Sequence, residues 1–77
     1  MIRYHLRRCI GNYESKTGAP LQIAELAERT GVHRATLSKM LNRPRCNITT
    51  DVINRLCVFF NVSVDELIEY VPDHLVD

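Results

Sequence analysis

The chain has 77 residues, 45% hydrophobic and 25% charged. That composition excludes a disordered tail, and the length allows one small core, burying only about 60% of the surface the unfolded chain exposes. No apolar run approaches the ~20 residues of a membrane span, and residues 1–10 carry three Arg without the uninterrupted apolar stretch of a secretory leader, so a cytoplasmic, non-membrane protein is expected. The formal charge of +1 hides an asymmetry: residues 1–60 hold all ten Lys and Arg against four carboxylates, and residues 61–77 hold five carboxylates and no cation. A basic body with an acidic end suits a polyanion on one face.

Leu6, Cys9, Ile10 and Tyr13 recur at helical spacing and predict a first helix over about His5 to Lys16. Thr17, Gly18, Ala19 and Pro20 stop it. Ile23, Leu26, Ala27 and Thr30 form the stripe of a second helix, about Gln22 to Arg29, and Gly31 follows as a residue able to turn the chain at positive φ. Val32, Leu37, Met40 and Leu41 then line one face of a third helix, about His33 to Leu41. That face leaves His33, Arg34, Ala35, Ser38, Lys39 and Asn42 outside.

Residues 42–47, Asn-Arg-Pro-Arg-Cys-Asn, read as a basic loop. Thr49 or Thr50 can cap a fourth helix, about Thr50 to Phe60, with Val52, Ile53, Leu56, Cys57 and Phe60 on its apolar face and Asn61 at its end. Ser63 and Glu66 form a capping box for a short fifth helix packed by Leu67 and Ile68 and ended by Pro72. Ile2, Tyr4 and Leu6 alternate at one end, and Ile68 and Tyr70 at the other. Short strands there would extend the core or join two subunits; a first helix extended back over residues 1–4 is the alternative. Cys9, Cys46 and Cys57 fit neither a disulfide framework nor a zinc spacing, and the three His are scattered. No metal and no cofactor are expected.

Two short helices joined by a tight Gly-containing turn hold one helix outward from a small core. Ile23, Leu26, Ala27, Thr30, Gly31, Val32, Arg34, Thr36, Leu37, Ser38 and Met40, in that spacing, resemble the phage-repressor or Cro-like (XRE-type) helix-turn-helix family. The likeness continues through Ile48, Thr49, Val52, Ile53 and Leu56, then from Phe60 to Ile68, and covers about residues 5–70.

The resemblance implies an all-α, five-helix, lambda-repressor-like domain with its motif at about 22–42; the chain is expected to be one such domain over residues 1–77, and its charge distribution places an acidic end at 71–77. It also implies a transcriptional regulator whose third helix enters the major groove of double-stranded DNA. His33, Arg34, Ala35 and Lys39 become the base-facing candidates, Arg34 and Lys39 for guanine O6 and N7 and Ala35 for a thymine methyl. Thr36 and Ser38 are ambivalent, because each can bond its own helix backbone instead. Gln22, Asn42, Arg43 and Arg45 would hold phosphates. The family often has Gln where this chain has Ile23, leaving that phosphate anchor absent or replaced by Gln22, and it commonly has Ser where His33 stands.

One module covers little DNA, so a homodimer on a two-fold operator is expected. A second reading is a protein-interaction module of the same fold, antitoxin-like or an adaptor. It would use the acidic end and Phe59, which lies outward on helix four if Phe60 is buried. No nucleophile with an adjacent base, Gly-rich phosphate loop or carboxylate cluster stands in the sequence, so neither an enzyme nor a small-molecule ligand is expected.

Overall fold

The computed structural model describes residues 1–43 and 45–75. Pro44 in the basic loop and Val76 and Asp77 in the acidic end lie outside the described residues. The first helix, α1 (Leu6–Thr17), buries Leu6 and Cys9 and sets Ile10 and Tyr13 against the core, as the helical spacing predicts. It ends where Gly18 takes a left-handed φ of 73° and returns its N–H to the Glu14 carbonyl at 2.8 Å. The Glu14 carboxylate then accepts the backbone N–H of Leu21 at 2.7 Å, fixing buried Leu21 ahead of the second helix.

That helix, α2 (Ile23–Thr30), is capped at its end by Gly31 at φ 78°. The Thr30 hydroxyl donates to the Leu26 carbonyl at 2.7 Å and accepts the Val32 N–H at 3.2 Å, so the turn is closed by a buried polar group with both roles filled. In α3 (Arg34–Asn42), Leu37 and Met40 are buried, with Val32 packed just before the helix. The fourth helix, α4 (Thr50–Phe60), starts with the Thr49 hydroxyl accepting the Val52 N–H at 3.3 Å. It ends at Asn61, the one non-glycine residue at positive φ among the described residues.

The fifth helix is shorter than its pattern suggests. The Ser63 N–H does bond the Glu66 carboxylate at 2.8 Å, but α5 spans only Val64–Leu67. Ile68 opens a strand instead, and Pro72 stands beyond the strand rather than at a helix end. The strand β2 (Ile68–Tyr70) pairs antiparallel with β1 (Ile2–Tyr4) in the same chain: Ile2 opposite Tyr70, Arg3 opposite Glu69, Tyr4 opposite Ile68. The alternating ends therefore pair within one chain: Tyr4 and Ile68 extend the core, Ile2 and Tyr70 stay exposed, and Leu6, the last of that alternation, is helical. The His5 N–H donates to the Leu67 carbonyl at 2.7 Å and joins the start of α1 to the end of α5.

Each of the five helices contributes one leucine with no solvent exposure: Leu6, Leu26, Leu37, Leu56 and Leu67. Phe59 does not point outward. It is half-buried, with its ring 5.1 Å from Tyr13 and 5.0 Å from Phe60 and the Arg29 guanidinium 4.8 Å above it. A helix turns about 100° per residue, so adjacent positions 59 and 60 both fit a broad apolar face, and the outward position falls to Val58.

Candidate nucleic-acid interface

A helix that buries Leu37 and Met40 beneath it must expose the opposite stripe. At 3.6 residues per turn, Arg34, Ser38, Asn42, Ala35 and Lys39 fan over roughly 140° on that side, and all five are exposed. Two grooves flank the fan. Arg34, Ala35, Ser38 and Asn42 line one of them with Ile23 and Leu41. Lys39, Asn42, Arg43 and Arg45 line the other with Cys46 and Asn47. The structure thus brings together nine of the ten sequence-predicted contact positions in order along α3, its cap and the following loop: His33, Arg34, Ala35, Thr36, Ser38, Lys39, Asn42, Arg43 and Arg45.

The individual placements differ. His33 is the N-cap residue of α3; its carbonyl accepts the Thr36 and Leu37 N–H groups at 3.0 and 3.2 Å, and its exposed imidazole makes no cap bond. Thr36 is half-buried on the flank of the fan. Ser38 is engaged with its own helix: Asn42 Nδ2 donates to its carbonyl at 3.0 Å and to its hydroxyl at 3.3 Å. Gln22 stands apart from the fan as the exposed N-cap residue of α2, again without a side-chain cap bond. It precedes Ile23, whose side chain forms the wall of the first groove.

The electrostatics favour an anion here. Four ion pairs occur among the described residues, joining Met1 to Asp73, His5 to Glu69, Arg29 to Glu25 and Arg55 to Asp51. None involves Arg34, Lys39, Arg43 or Arg45. Three of the body's four carboxylates are engaged elsewhere, Glu25 and Asp51 in those pairs and Glu14 on the Leu21 amide. No salt bridge among the described residues therefore ties down the cations of α3 and its loop, although Asp73 lies near enough to Arg45 to feel its charge.

The basic loop is held by a residue that sequence reasoning does not select. Tyr4 of β1 donates its phenol to the Cys46 carbonyl at 2.9 Å, across 42 positions. Burial pushes the Tyr4 phenol above its ordinary value, with the nearby Cys46 adding to the rise and a hydrogen bond to the Ile48 backbone opposing it. The phenol thus remains a donor at neutral pH. Asn47, beside it in the second groove, is likewise unselected; only its membership of a basic loop marked it. Burial also raises the Cys9 and Cys57 thiols, which keeps them protonated and poor nucleophiles.

Among the described residues, no helix is long and apolar enough to cross a membrane. The model of one protein family, the Cro/C1-type HTH DNA-binding domain, matches residues 20–73. Comparison with curated proteins and with solved structures gives no match.

Proposed function

We propose, because this chain belongs to the Cro/C1-type helix-turn-helix DNA-binding family, that it regulates transcription by reading a specific duplex sequence with α3. Arg34, Ala35 and Lys39 face base edges in the major groove, with His33 at the helix entry. Gln22, Arg43 and Arg45 hold phosphates on either side, and Asn42 joins the two grooves. Ser38, already engaged by Asn42, and Thr36, half-buried on the flank, play no part in reading DNA. The observation that carries this reading is the exposed fan on α3, continuous with a basic loop whose cations form no salt bridge among the described residues.

A single module buries only ~600 to 1,000 Å² of protein surface on DNA, so the working unit is a homodimer on two half-sites about one helical turn apart. The protein-interaction reading loses one of its two supports, since Phe59 is packed against Tyr13 and Phe60. Selection from random duplexes tests the proposal directly. A recovered pair of inverted half-sites is the expected result, and recovered duplexes with no common sequence would sink it.

A further inference from the structure

The last carbonyls of a helix have no partner inside it, and in a helix-turn-helix those of the first helix abut the corner that aims the second. Here the Thr30 carbonyl accepts Arg55 Nη1 at 3.1 Å. The Nε of the same guanidinium donates to Asp51 Oδ2 at 2.9 Å. A planar fork held by two acceptors in different directions is fixed in orientation, and a cation at the C-terminal end of α2 is favoured by the helix dipole. A Cβ built on Gly31 would meet Arg55 Nη1 at 2.8 Å, so the guanidinium lies directly against the turn. On the inner side the turn is held by the Thr30 hydroxyl. The helix carrying Arg55 is itself anchored by buried Ile53 and Leu56.

We propose that Arg55 is a positioning residue for DNA binding: it clamps the α2–α3 corner from behind and sets the direction of α3 without touching DNA. The inference rests on the DNA-binding reading above. Arg55 lines neither groove beside α3; it borders a separate depression between α2 and α4 with Arg29, Thr30, Asn54, Val58 and Phe59.

The test uses the duplex recovered by selection on the wild-type chain, beside an alternating copolymer duplex as the nonspecific probe. Arg55→Ala is expected to weaken binding to the selected duplex about tenfold, the scale of one charge-assisted hydrogen bond. The slope of log affinity against log salt and the affinity for the copolymer should stay at wild-type values, and the amide resonances of residues 30–34 should move. Arg55→Lys keeps the charge but not the fork and should recover only part of the loss. If Arg55→Ala does not fold, Arg55→Lys is read by the same criteria.

A salt slope shallower by about 1 would make Arg55 a phosphate ligand and overturn the proposal. So would a folded variant that binds both duplexes as the wild type does. The clamp has its own readout in a stability cycle: Gly31→Ala should cost less in the Arg55→Ala background, where its steric conflict is gone, and strict additivity would disprove the clamp. A wild-type chain that selects no duplex fails the DNA-binding reading instead, while the cycle still reports on the corner.

Discussion

Two kinds of side chain share the α3 surface, and physical chemistry separates them. A guanidinium or ammonium that meets a base edge discriminates among sequences, whereas one that meets a phosphate attracts all sequences alike. Arg34→Ala should therefore cost about 1–3 kcal/mol on the selected site and relax preference at one base position, while Arg43→Ala should weaken every duplex alike and flatten the salt slope by about 1. Competition against single-base variants of the site checks both, and an Arg34→Ala protein with undiminished preference would contradict the assignment. His33 offers a sharper contrast. Its imidazole fills a cap position without making the cap bond, and Ser is among the best caps. His33→Ser is expected to stabilise the fold by roughly 0.5–1 kcal/mol in urea denaturation while weakening DNA binding. A gain in both would show that the imidazole has no contact role.

Helices this short, 4 to 12 residues, draw little stability from propensity and depend on the tertiary packing of their apolar faces. Leu67 belongs to a four-residue helix yet has no exposure, so Leu67→Ala should cost about 2–5 kcal/mol by denaturant unfolding, as at other buried leucines. A loss under 1 kcal/mol would mean that α5 packs more loosely than its burial indicates. The boundaries of α1 to α4 were legible because local signals decide them: Gly18 and Gly31 at positive φ, Thr49 as a cap, Asn61 as a stop. The end of α5 was not legible. Ile68 continues an apolar helical pattern equally well, and what turns it into a strand is pairing with Tyr4, which lies 64 positions away. The same holds at the site: Arg34, Lys39 and Arg43 are visible from their spacing, but nothing local to Tyr4 announces its bond to Cys46, or to Arg55 its bond to Thr30. Phe59 turns inward against the expectation from spacing because a broad apolar face leaves the boundary between inside and outside to the partner, here Tyr13.

Across the whole molecule, the terminal sheet and the basic loop are mechanically joined through the Tyr4 phenol, so loop order should depend on a strand that never meets DNA. Tyr4→Phe removes the donor and leaves the Cys46 carbonyl without it, and is expected to cost about 1 kcal/mol of stability and to weaken binding by loosening the placement of Arg43 and Arg45. The bond also gives the fold an alkaline limit. Because burial raises the folded-state pKa of Tyr4 above its ordinary value of 10.0, its contribution is fully present below that value. As the pH climbs past it the unfolded chain ionises first, and the contribution is lost as the pH rises through the folded pKa. Urea midpoints measured from neutral pH to pH 11 should fall more steeply for the wild type than for Tyr4→Phe, and parallel curves would remove the phenol from the account. Charge supplies the complementary readout. The net charge of +1 predicts weak long-range attraction to DNA, but binding answers to the local array on α3 and its loop. With about four to six phosphates neutralised per subunit, log affinity should fall linearly with log salt at a slope of roughly −4 to −5 per subunit, about twice that for the dimer. An affinity flat from low to moderate salt would show that the cations of Arg34, Lys39, Arg43 and Arg45 do not face a nucleic acid at all.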